Sequence, residues 1–174
     1  VEVVPLTFDI RSLATTTTSL SADDPFVVRS GYVHSNGTTF RRCTVSAVGG
    51  ALPVTVTSSD DSVGMLTTNG GSAASRIISI AVNNFDSPNS VAAGGIAFDP
   101  VAGGTTIVTA ACPGSDTSWT AASESVTVSQ PGITLTDSYH GDYRVGTDLQ
   151  IRCTVTLGGG NHGGINVELT SADP

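Results

Sequence analysis

Apolar and polar residues alternate with a period of two along much of this sequence. From Leu149 to Leu157 every second residue is apolar, and the residues between them are polar. A period of two places one set of side chains on each face of a β-strand, so this stretch predicts a strand that is buried on one face only. No stretch of ten or more residues shows the period of an amphipathic helix, and the chain is therefore predicted to be all-β.

Further strands are predicted where similar stretches lie between glycine-rich or asparagine-rich breaks. They cover residues 26–33, 52–58, 63–67, 76–82, 95–98, 105–112 and 124–129. Cys43, Val45 and Ala47 are predicted to form the inward face of one more strand. So many half-apolar strands are buried most simply as two antiparallel sheets packed face to face.

Composition and charge exclude several classes of partner. The 174-residue chain has a formal net charge of −8, and its seven basic residues are all arginines. Nucleic acids and anionic membranes bind clusters of Lys and Arg, so neither is an expected partner. Membrane insertion is not expected either, because no apolar run has the roughly 18–20 residues that span a bilayer.

A weak internal repeat predicts the domain organisation. The tetrapeptide Arg-Cys-Thr-Val at 42–45 returns at 152–155, and the stretch 54–60 has a counterpart at 167–173. The predicted units are the end of a preceding repeat or linker at 1–4, a complete repeat at 5–130 and the start of a second repeat at 131–174. The last unit is not expected to be self-sufficient, because the strands that would cover Leu149, Ile151, Val155 and Leu157 are not within it.

Two stretches resemble bacterial immunoglobulin-like repeats. Residues 54–63 (VTVTSSDDSV) resemble a strand and turn of such repeats, and residues 95–109 (GIAFDPVAGGTTIVT) resemble a glycine turn that leads into a Thr/Val strand. The resemblance covers most of 40–130 and implies an immunoglobulin-like β-sandwich. Such repeats occur in tandem in extracellular adhesins, stalks and secreted proteins. The resemblance thus implies a secreted or surface-exposed structural module whose partners are neighbouring repeats or identical subunits.

The resemblance also implies a disulfide bond. Immunoglobulin-like domains join an early strand to a late one across the two sheets, and Cys43 and Cys112 would take these positions. Cys153 repeats Cys43, and it would be unpaired in this segment because its partner would lie beyond Pro174. The alternative is three buried free thiols. A bridge would place the protein in an oxidising, extracellular compartment.

Several carboxylates lie in predicted turns. Asp60, Asp61 and Asp99 are weak calcium candidates, because calcium binds several oxygens that converge from loops. Asp is also a common turn residue that caps local N–H groups, and this alternative is preferred. No other cofactor is predicted.

Other candidate residues have ordinary alternatives. His34, His140 and His162 lack metal-ligand spacing, and no activated-serine motif is present, so no catalytic residue and no enzyme activity are predicted. Asn36-Gly37-Thr38 matches a glycosylation sequon, but Asn-Gly also predicts a hairpin turn.

The predicted function is therefore a disulfide-clamped spacer or assembly unit. Two alternatives stay open. One is a filament subunit that polymerises by strand donation. The other is an adhesin module for a carbohydrate or a host protein, in which Trp119, Tyr139 and Tyr143 stack on sugar rings.

Overall fold

The computed structural model describes residues 6–113, 119–137, 152–158, 166–168 and 170. The strands of these residues are, in chain order, β1 Leu6–Arg11, β2 Thr16–Thr18, β3 Asp24–Val33, β4 Phe40–Arg42, β5 Leu52–Ser58, β6 Gly64–Thr68, β7 Gly71–Ala73, β8 Ser75–Ile80, β9 Ile96–Pro100, β10 Gly104–Ala111, β11 Trp119–Thr120, β12 Ala122–Ser129, β13 Ile133–Asp137 and β14 Cys153–Leu157. The one helical element in this part of the chain is a 3-10 turn at Val91–Ala93.

The strands form a sandwich followed by a two-stranded sheet. The first sheet has the order β11-β1-β3-β9-β6-β7, with β4 also paired to β3, and the second has the order β2-β12-β10-β5-β8. The paths β1-β3-β9-β6 and β5-β10-β12 reproduce the A-B-E-D and C-F-G sheets of immunoglobulin domains. The predicted all-β, immunoglobulin-like sandwich is thus confirmed.

The core lies between the two sheets, where alternate residues of each strand point inward. In β5, Val54 and Val56 are fully buried, whereas Thr57 between Val56 and Ser58 is exposed. The largest fully buried side chains come from both sheets and are Phe26, Phe98, Leu66, Ile80 and Ile96. Burying each such side chain contributes roughly 1.5–3 kcal/mol, so this layer supplies the main favourable free energy of folding.

A network of buried hydroxyl groups lies where the chain crosses from β5 in the second sheet to β6 in the first. Thr106 is fully buried, and its Oγ1 lies 2.8 Å from Ser58 Oγ. The Asp60 N–H donates to Thr106 Oγ1 at 3.0 Å, and the Ser58 hydroxyl donates to the Gly64 carbonyl at 2.7 Å. Because each buried hydroxyl has partners, the crossing avoids the desolvation cost of an unpaired polar group.

The seven strands predicted between residues 26 and 129 outside the Cys43 region are all found, with ends that shift by at most two residues, and the strand predicted at 149–157 is found as β14 over its described part. The strand predicted through Cys43, Val45 and Ala47 was wrong in extent. Strand β4 ends at Arg42, and Ala47 lies exposed in a turn. The Val45 N–H donates to Asn84, but Asn83 has a φ of 64°, so the neighbouring backbone turns away and cannot continue a ladder.

The structure does not place the two Arg-Cys-Thr-Val copies in equivalent positions. Cys43 follows β4, whereas Cys153 begins β14. Strand β14 pairs with β13 in a separate two-stranded sheet, whereas β4 pairs with β3 of the first sheet. The boundaries at 5–130 and 131–174 stay predictions, and residues 1–4 and 149–151 lie outside the described residues. On the hairpin formed by β13 and β14, Ile133 is 57% exposed.

A methyl group added at Gly64 is expected to destabilise the sandwich. A Cβ there would lie 2.1 Å from Cζ of Phe98, whose ring is 1% exposed and has no room to move away. Overpacking of this kind costs about 1–3 kcal/mol, so Gly64→Ala should lower the free energy of unfolding by that amount in urea denaturation.

The matched control is Gly49→Ala, because a Cβ at Gly49 would meet nothing within 4 Å. Equal unfolding midpoints for the two variants would contradict the packing of Gly64 against Phe98.

Candidate functional site

The described strands give the sandwich two distinct ends. Strand β1 starts at Leu6 beside Trp119, and it runs to Arg11, which pairs with Val27. Strand β12 runs in the same direction as β1 and ends at Ser129. We call the end with Leu6 and Trp119 the N-terminal pole and the end with Arg11 and Ser129 the C-terminal pole.

An apolar pocket opens at the N-terminal pole. It has a volume of about 240 Å³ and is lined by Leu6, Ser30, Cys43, Thr44, Val45, Ser46, Leu52 and Trp119. The Trp119 ring stacks on Phe8, with ring centroids 4.7 Å apart. The chain's single tryptophan is therefore held by the core on one side and forms part of the pocket wall. We call this cavity the N-terminal pocket.

Two arginines place positive charge beside the N-terminal pocket. Arg41 and Arg42 are exposed, and Cys43 of the pocket wall follows them directly. The guanidinium of Arg42 lies over the Phe85 ring at 4.4 Å, and neither arginine forms an ion pair with a described carboxylate. The two arginines thus leave positive charge uncompensated in a chain of net charge −8.

Arg29, in the middle of β3, is instead neutralised locally. Its guanidinium donates to both carboxylate oxygens of Asp86 at 2.7 and 2.9 Å, and it lies 5.4 Å from the Phe85 ring centroid. The hydrogen bond to Asp86 raises the pKa of Arg29. A second, open cavity of about 370 Å³ lies beside this pair and has Asn84, Ser87, Pro88 and Asn89 in its wall.

Carboxylates gather at the C-terminal pole. Asp24 pairs with Phe98, Asp99 pairs with Met65, and the turn that holds Asp60 and Asp61 leads directly into β6. Burial raises the pKa of Asp99, and the nearby charge of Asp23 raises it further. Arg11 is a basic residue at this pole, and it forms an ion pair with Asp9. Counted over the described residues, the C-terminal pole is therefore acidic, whereas Arg41 and Arg42 give the N-terminal pole positive charge.

One apolar side chain lies exposed among these carboxylates. Val101 is 42% exposed at the turn between β9 and β10, two residues after Asp99. Its N–H donates to the Val63 carbonyl at 2.9 Å, and the Ala102 N–H donates to the same oxygen at 3.2 Å. The two hydrogen bonds hold the turn against the sandwich.

The calcium candidates Asp60, Asp61 and Asp99 are not brought together as ligands. Within the described ranges no group of three or more His, Cys, Asp or Glu side chains is arranged to hold a metal ion. Asp60 caps its own turn instead: its Oδ1 accepts from the Ser62 N–H at 3.0 Å and from the Ser62 hydroxyl at 2.6 Å. The Ser62 hydrogen bonds lower the pKa of Asp60, which is the behaviour of a turn residue.

The cysteines are not arranged as in an immunoglobulin domain. No disulfide joins Cys43, Cys112 or Cys153 in the structure. In an immunoglobulin domain the bridge joins the strands equivalent to β3 and β10, whereas Cys43 lies after β4, and the buried residues of those two strands include Val28 and Val108. Cys112 follows β10 and packs against the core, and Cys153 is exposed.

Two further predictions concern turns and aromatic residues. Asn36 and Gly37 form the turn between β3 and β4, as the hairpin interpretation predicts, and Asn36 Oδ1 accepts from the Thr38 and Thr39 N–H groups. Trp119 covers the N-terminal pole. His140, His162, Tyr139 and Tyr143 lie outside the described residues.

Sequence reasoning missed the N-terminal pocket and the opposite charge of the two poles. The adjacent pair Arg41-Arg42 was an available signal, since the chain has only seven basic residues. The positions that bring Leu6, Leu52 and Trp119 together are far apart in sequence, and no local pattern relates them.

No protein-family model matches this chain, and a search of curated proteins found no match. Among the described residues, no helix has the length and apolar character needed to cross a membrane.

Replacing Asp99 by Asn is expected to stabilise the protein at neutral pH. The pKa of Asp99 is raised in the folded state, so the folded protein binds a proton at this carboxyl more readily than the unfolded chain does. The ionised carboxylate therefore opposes folding at pH 7, and below the unfolded pKa of about 3.9 this contribution disappears.

Thermal unfolding should show a higher Tm for Asp99→Asn than for the wild type at pH 7 and a smaller difference at pH 3. Asp61→Asn is the control, because Asp61 is exposed in the turn before β6. A gain from Asp99→Asn that is the same at both pH values would contradict the electrostatic explanation.

Proposed function

We propose that this chain is a non-catalytic structural module of an extracellular bacterial surface or filament protein, where it acts as a spacer. The observation that carries the proposal is that the chain enters the sandwich at one pole and leaves it at the other. A module of this kind adds length when it is repeated, because each following unit starts where the previous one ends.

The added length follows from strand geometry. Strand β12 has eight residues, and a β-strand rises about 3.3 Å per residue, so β12 carries the chain about 25 Å from pole to pole. A module whose two ends lay at the same pole would add little length per residue.

The pairing of the terminal strands also suits a spacer under tension. Strand β12 is hydrogen-bonded to β10 along its length, and Thr127, Val128 and Ser129 pair with β2. A force between the poles runs along β1 and β12, so it loads these cross-strand hydrogen bonds together. Peeling an edge strand would instead break them one after another.

Single-molecule stretching is expected to show this resistance. Pulling on the two chain ends should give one force peak for the sandwich and release about 400 Å of chain, because roughly 120 residues extend at 3.3–3.6 Å each. The control attaches the same handles at residues 36 and 49, so that the force peels β4 alone. A terminal pull that meets no more resistance than the control would contradict the spacer function.

A disulfide at the N-terminal pole would reinforce such a module. Cys43 lines the N-terminal pocket, and Cys112 follows the end of β10 at the same pole, where Ala111 pairs with Thr55. Closing a loop of this size stabilises a folded domain by roughly 4 kcal/mol in the chain-entropy description. The bridge fits the extracellular location that is part of the proposal.

Peptide mapping of protein prepared without reductant is expected to recover Cys43 linked to Cys112. Cys153→Ser should leave that linkage unchanged, because Cys153 is exposed on β14. Recovery of Cys43 and Cys112 as thiols, or of either one linked to Cys153, would refute the clamp.

A further inference from the structure

The two poles of the sandwich are complementary, because one has an apolar pocket and the other an exposed apolar side chain, and their described charges are opposite in sign. The N-terminal pole has an apolar pocket beside Arg41 and Arg42, and the C-terminal pole has an exposed valine beside several aspartates. We propose that the N-terminal pocket of one molecule docks the Val101 turn of a second copy, so that molecules associate head to tail. The inference deepens the structural role proposed above by naming the contact between neighbouring units.

The charges at the two poles favour a second copy of this chain as the occupant of the N-terminal pocket. Molecules of net charge −8 repel each other on average, and they can approach closely only where local charges are opposite. Arg41 and Arg42 supply positive charge that no described carboxylate pairs with. Asp23 and Asp61 are exposed at the pole that carries Val101. A head-to-tail contact brings these two sets together, whereas a contact between like poles would oppose equal charges.

The size and apolar lining of the N-terminal pocket also suit the Val101 side chain. The pocket volume of about 240 Å³ accommodates a valine side chain, and Leu6, Leu52 and Trp119 would replace the water that now surrounds Val101. The Val101 turn is already held by its two hydrogen bonds to Val63, so docking requires little ordering of the backbone.

A contact confined to one pole is small, and small interfaces are weak and transient between separate molecules. In a tandem chain the same contact would form within one molecule, at the millimolar effective concentration that a short linker provides. A head-to-tail contact is also heterologous, so it leads to open chains of molecules and not to closed dimers.

The test is sedimentation velocity of the whole chain at low salt, about 10 mM, and at 1 M salt. The Debye length falls from about 30 Å to about 3 Å between these conditions, so attraction between the poles should be lost at high salt. We expect the weight-average sedimentation coefficient of the wild type to rise with concentration at low salt only. The fluorescence of Trp119, which lies in the pocket wall, should change over the same concentration range.

Two charge reversals make the test specific. Arg41→Glu with Arg42→Glu makes both poles acidic, and Asp23→Arg with Asp61→Arg replaces two negative charges of the C-terminal pole by positive ones and leaves the N-terminal pole unchanged. Asp24 and Asp60 are left intact because they accept backbone hydrogen bonds. Each double variant alone should associate at least tenfold more weakly than the wild type, and an equimolar mixture of the two should regain association, since the unaltered C-terminal pole of the first variant then meets the unaltered N-terminal pole of the second.

Val101→Ser should also weaken association, and Ile107→Ser is its control, because Ile107 is 48% exposed on β10 away from both poles. Coincident melting curves would show that the variants are folded, and a variant that fails this check is replaced by its single-site form. Three results would each overturn the proposal: a wild type that stays monomeric at low salt, association that is insensitive to salt, or a mixture that does not regain association. The stretching experiment is independent of these results, because a spacer that never docks still resists force between its poles.

Discussion

The packing of two sheets against each other is the constraint on which the rest of this structure depends. Neither sheet could remain in water alone, because Phe26 and Phe98 of the first sheet and Ile80 of the second are buried on the faces that pack against each other. Close packing within the first sheet also requires a small residue where backbone and ring meet, as at Gly64 of β6 beside Phe98 of the neighbouring β9. Once the sheets are apposed, the strand directions are set, and the two poles follow from them.

The crossing from β5 to β6 shows how the sandwich includes polar groups without losing stability. Ser58 and Thr106 satisfy each other and the backbone around them, so Asp60 and its turn are held at the C-terminal pole. The acidic surface is thus built on a buried hydroxyl pair and does not depend on a mobile loop. The N-terminal pocket is also supported by the core, because the Trp119 ring in its wall stacks on buried Phe8.

Sequence reasoning succeeds for features that a short stretch determines and fails where distant stretches meet. Strand β5 was predicted with its correct ends, since the alternation at 52–58 reports the burial of one face. The strand predicted at Cys43 failed because Asn83 and Asn84 determine how far it can pair, and they are some forty residues away. The repeated tetrapeptide shows the same limit, because identical residues at 42–45 and 152–155 have different neighbours in the structure. The poles combine residues from at least four strands, and only the assembled sheets show their opposite charges.

The separation of the described charges between the poles also gives the described part of the sandwich an electric dipole. Arg41 and Arg42 lie near one end of its long axis, and Asp23, Asp60, Asp61 and Asp99 lie near the other. In an electric field such a molecule experiences a torque that turns its long axis toward the field direction. At a cationic surface such a charge distribution would favour adsorption through the acidic end, with the wall that contains Trp119 facing the solution. A layer of such molecules would be oriented by electrostatics before any specific contact formed.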